Sequence, residues 1–176
     1  MKNIILYSLV FLCCGIFCAP RSAWSEQVDR DLYATVVVNP VFVLSLDNAR
    51  VSFGFLKPGE SAELEKDNYY NFVKCNSNKG KKWYLKLSVV GDVAGPEPGI
   101  PPGSFKWKIF RATGDGVPQE GWKPFTKEPF LVYTSGAKDA TGEDVIVQFQ
   151  YRLDLPFEAV GGVYSITVLY TMTDVV

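Results

Sequence analysis

Lys81-Lys82-Trp83-Tyr84-Leu85-Lys86-Leu87-Ser88-Val89-Val90 is the stretch whose reading decides the fold. Trp83, Leu85, Leu87 and Val89 fall on one side of an extended chain, and Lys82, Tyr84, Lys86 and Ser88 on the other. A period of two marks a half-buried β-strand, because successive side chains leave opposite faces. The tryptophan at its head carries a large apolar area into the core. A lone strand of this kind is not stable, so its apolar face needs other one-sided elements to pack against.

Those elements are legible on both sides of it. Upstream, Leu32–Val38 is rich in β-branched residues and reads as a first strand, broken by Asn39-Pro40 and resumed over Val41–Leu46 as an edge strand. Val51, Phe53 and Phe55 alternate with Ser52 and Gly54 and predict a further short strand. Lys57-Pro58-Gly59-Glu60 predicts a turn, with proline and glycine at its two central positions. The stretch 61–67 is strand or loop, and Asn68–Cys75 is a strand that a hairpin turn at 76–80 leads into the Trp83 strand. Downstream, the Gly- and Pro-rich stretch 91–103 predicts a long irregular loop. Strands are expected over Ser104–Arg111, Phe130–Thr134 and Val145–Leu153, with a second long loop over 112–129. The last strand puts Tyr164, Ile166, Val168, Tyr170 and Met172 on one face.

Eight or nine strands and no convincing helix point to an all-β fold. The expected form is a two-sheet antiparallel β-sandwich, immunoglobulin-like or jelly-roll-like, with a closed barrel as runner-up. Lys2, the apolar run from Ile4 to Ala19 and the small residues of Ala23-Trp24-Ser25 predict a signal peptide over 1–25. Residues 26–176 are then a single domain, exported to the cell surface, the periplasm or the extracellular space, with no membrane span once the leader is cleaved.

Removing that leader leaves 16 basic against 19 acidic residues and Cys75 as the one cysteine. Weak net acidity argues against a nucleic-acid partner. A lone cysteine excludes an intramolecular disulfide, and its position two residues after Val73 predicts a buried, inert thiol. The chain contains no histidine, which excludes His-based triads and His-ligated metals. No motif calls for a cofactor. Asp139, Glu143 and Asp144 are either the beginnings of a Ca²⁺ site or a solvated acidic turn, and they lack the ligand spacing of the former. No metal is expected.

Trp83-Tyr84-Leu85 after a glycine-bearing turn resembles the first motif of WxL-type bacterial surface domains. The place of their second motif is taken by Gly162-Val163-Tyr164 and Tyr170-Thr171-Met172, with Tyr for Trp and Met for Leu. The resemblance spans the regions 69–90 and 161–174 and implies an exported, non-catalytic β-sandwich in contact with peptidoglycan. A second candidate function is a carbohydrate-binding module in which Trp122, Phe125, Trp107 and Tyr84 form an aromatic platform, with Trp122 the best placed because it lies in a loop. A third is a pilus-like subunit that assembles by strand exchange, for which a strand would have to be missing from the monomer. Peptidoglycan, another glycan or another surface protein are the partners these readings imply, and no enzymatic activity is expected.

Overall fold

The computed structural model describes residues 35–64 and 71–176. The chain divides into Met1–Val37 and a compact unit, Val38–Val176. Of the first, residues 35–37 are described, and they are exposed and without regular structure. The expected signal peptide lies outside the described residues.

In the compact unit the described strands are β1 (Phe42–Leu46), β2 (Ser61–Leu64), β3 (Asn71–Ser77), β4 (Tyr84–Ala94), β5 (Phe105–Ala112), β6 (Val117–Pro118), β7 (Lys123–Pro124), β8 (Phe130–Thr134), β9 (Asp144–Asp154) and β10 (Ser165–Thr173). Single 3₁₀ turns over Pro102–Ser104 and Lys138–Ala140 are the helical elements among them. The larger sheet runs β1-β3-β9-β5-β7, with β2 also paired to β9. β2 and β3 lie end to end on one flank of β9, Leu64 opposite Tyr151 and Asn71 opposite Phe149. The smaller sheet runs β10-β4-β8-β6. The pairings are antiparallel, and the two sheets pack face to face as a β-sandwich.

Alternation decides what enters the core. Trp83, Leu85, Leu87 and Val89 are buried on the inner face of the smaller sheet, and Val73, Cys75, Trp107, Val145, Val147 and Phe149 on that of the larger. Each such side chain contributes about 1.5–3 kcal/mol by leaving water. Aromatic rings fill the middle: Trp107 meets Phe130 and Phe149 edge-on at 5.6 and 6.0 Å, and Trp83 lies 5.5 Å from Tyr133.

Several expectations change. Of the strand expected over Leu32–Val38, residues 35–38 are described and form none, although their valines favour one, and 32–34 lie outside the described residues. Val51–Phe55 forms no ladder either. Gly54 sits at φ +74°, which reverses the alternation, so Phe53 and Leu56 pack on the core while Phe55 is fully exposed. The turn at 76–80 is not a hairpin: β3 belongs to the larger sheet and β4 to the smaller, so it carries the chain across the sandwich. β4 runs on through Gly91, at φ +78°, to Ala94, which shortens the expected loop. The 112–129 loop contains β6 and β7, two residues each.

Candidate functional site

The sheets end in unequal edges. β6 and β7 are two residues long and each contains a proline, while β2 has four residues and β1 five. Short strands and prolines blunt an edge against further pairing. β10 has nine residues, and no charge or proline occurs from Tyr164 to Thr173. Its one neighbour among the described strands is β4.

The direction of its open hydrogen-bonding groups follows from the ladder. Val89 N–H donates to the Thr126 carbonyl at 2.8 Å, away from β10, and Val89 faces Val168 across the β4–β10 pair. The Val89–Val168 pair is therefore a non-hydrogen-bonded one, and Val168 turns its N–H and C=O to the outer edge. Two residues on, Tyr170 does the same.

Beneath this edge the sandwich is open. A groove of about 750 Å³ lies between β10 and the unpaired segment 48–56. Its walls include Val51, Phe53, Leu56, Leu153, Ile166 and Val168, its floor Phe105 and Phe125, and Arg50 is the charged side chain in its lining. The inner side chains of β10 are half-buried, whereas those facing them on β9 are buried. The core is therefore less well covered on the β10 side.

A polar group sits within the groove. The hydroxyls of Tyr151 and Tyr170 are 2.6 Å apart. Burial pushes Tyr151 up to about 12, against partial relief from the Tyr170 and Asn71 hydrogen bonds. Tyr170 is pushed well above its ordinary value, by burial and then by Tyr151. Both phenols stay neutral near pH 7 and offer hydrogen bonds rather than proton transfer. Asn71, 5% exposed, also lines the groove, and its Oδ1 finds no donor among the described residues. A buried acceptor without a donor costs about 1–3 kcal/mol.

The residues expected to form an aromatic platform do not come together. Trp107 is fully buried, as its place in the alternation of β5 requires. Phe125 is buried too, stacked 6.2 Å from Tyr151 beneath the groove. Trp122 is half-buried with the Lys108 ammonium 4.5 Å above its ring, so that face is already occupied. Tyr84 is half-buried on the smaller sheet. The motif residues do meet: Met172 faces Leu85 and Tyr170 faces Leu87 across neighbouring strands. Trp83 and Leu85 are core, and Tyr164 closes the loop before β10 by donating to the Val160 carbonyl at 2.7 Å.

The acidic residues separate as well. Asp144 pairs with Lys74 at 2.6 Å and accepts from Asn76, and these two partners, Lys74 first, hold its carboxyl below the usual range. Glu143 is exposed. Asp139 is not solvated but 2% exposed, and it accepts from the Tyr133 hydroxyl at 2.6 Å and the Gly136 and Asp115 amides at 2.8 and 3.0 Å. No metal-holding cluster of three such side chains occurs among the described residues.

The groove was not foreseen from the sequence. Its signals there were the uncharged run Tyr164–Thr173 and the apolar residues of 51–56 that find no ladder. No protein-family model matches the chain, and neither a curated protein nor a solved structure matches it.

Proposed function

We propose that this protein is an exported, non-catalytic module of the cell surface that binds an extended polypeptide strand along β10. The observation that supports it is an unblunted nine-residue edge lying over an apolar groove. Strand addition takes its affinity from main-chain hydrogen bonds and its selectivity from pockets for alternate side chains. Val168 and Tyr170 supply the main-chain groups, and the groove takes the side chains. Export rests on the leader-like residues 1–25, and a surface location on the resemblance to WxL-type domains.

The test is an extended probe peptide of alternating valine and threonine with lysines at both ends. It is compared with a copy N-methylated at alternate residues. We expect the first to bind and the second to bind at least tenfold more weakly, because methylation removes the N–H groups that strand addition uses. Equal binding of both, or of neither, contradicts the reading.

A further inference from the structure

We propose that the strand received by the groove is the apolar arm Leu32–Val38 of a second copy of this chain, so that copies join head to tail. This rests on the strand-addition reading above and names its occupant.

The arm has the chemistry of a donor. Leu32-Tyr33-Ala34-Thr35-Val36-Val37-Val38 is uncharged and rich in β-branched residues. Val36, Val37 and Val38 are 81, 83 and 73% exposed, and residues 35–38 belong to no strand. Three consecutive exposed valines are unfavourable on an isolated soluble chain and mark a surface that is covered in the working assembly. Asp31 precedes the arm, and Arg50 is the charge in the groove lining.

Reach keeps the valines of the same copy's arm out of the groove. Val38 lines a small surface pocket together with Asp174, so the arm leaves the sandwich beside the C-terminal end of β10. The groove follows the other half of that strand, Ser165–Val168 and Tyr170. From Asp174 back to Thr167 is about 23 Å at the rise of a strand. A chain running back from Val38 to Leu32 spans at most about 20–22 Å. Folded back on its own β10, the arm would leave its valines beside Met172–Asp174, place Leu32–Ala34 beside Val168–Tyr170 and bring the charged Asp29–Asp31 to the far half of the apolar groove. The valines reach the groove when they come from another copy.

Arm and groove are different surfaces, so the contact propagates into chains or rings unless two copies exchange arms reciprocally.

Cysteine crosslinking of the full chain separates the possibilities, in a background with Cys13, Cys14 and Cys18 replaced by alanine. Val37→Cys protein is mixed with Thr167→Cys protein and oxidised, and Val36→Cys is used in parallel to cover both faces of the arm. We expect covalent dimers in the mixture and a ladder of oligomers from the double variant. Adding Val38→Asp in the exposed arm should lower the yield at least tenfold while the melting temperature stays unchanged. A double variant that crosslinks only within one chain, or not at all, overturns the proposal. If the valine–threonine probe binds while no ladder forms, the groove reading stands and the second copy is not its occupant. If neither occurs, both fall.

Discussion

Cys75 has no exposed surface and lies on β3 between Val73 and Ser77, both also buried. Burial pushes its thiol up to about 12, with Asp139 adding to the rise. The thiolate is the reactive form, so the folded protein should resist alkylation at pH 8 and react only once denatured. It should also migrate identically with and without reductant once the leader cysteines are gone. Rapid labelling of the native protein would contradict this. The same burial has a consequence for stability. A thiol that ionises near 9.0 when unfolded and near 12 when folded contributes fully below pH 9, and the contribution is lost as pH rises through 12. Tyr151, moved from 10.0 to about 12, acts in the same direction. The melting temperature should therefore fall between pH 9 and 12.

At the scale of the element, one 3₁₀ turn pins an end of the sandwich. Asp139, in the turn Lys138–Ala140, draws Tyr133 of β8 and the backbone of 115 and 136 onto one carboxylate. Its own carbonyl accepts from the Trp83 indole at 3.0 Å, and Tyr133 accepts from Gly116 N–H at 2.8 Å. Gly116 has to be glycine here, because a Cβ would lie 2.2 Å from the Thr134 carbonyl oxygen. Asp139→Asn keeps the shape but presents an NH₂ where donors already point. It should cost about 1.5–3 kcal/mol, the range for hydrogen bonds to a charged group, read as a lower urea midpoint. Asp115→Asn, on the exposed side of the same cluster, should cost less. None of this was legible in the sequence, where Asp139 looks like one acidic loop residue among three. The partners that make it structural lie 3 to 56 residues away.

For the whole molecule, what the sequence shows and what it hides divide along physical lines. Burial on one face repeats every two residues, so the inner faces of β4, β5, β9 and β10 could be read directly. Which strands pair could not. The turn at 76–80 has the composition of a hairpin, yet it crosses between sheets, because turn chemistry is local and sheet membership is not. The groove escaped for the same reason: an edge is open or covered only in relation to strands elsewhere in the chain. Trp107, expected at a ligand surface, is core because it falls on the inward face of β5, and Phe125 because it lies beneath the groove.

The account stands on β10 being an edge that waits for a strand. Amide hydrogen exchange reads this residue by residue, since protection follows hydrogen bonding and the free energy of opening. In dilute protein, Val168 and Tyr170 N–H should exchange at least a hundredfold faster than Leu169 N–H, which points to β4. They should become protected when the valine–threonine probe is added. Full protection of Val168 and Tyr170 in the dilute protein alone would mean that the chain already covers this edge, and would contradict the account.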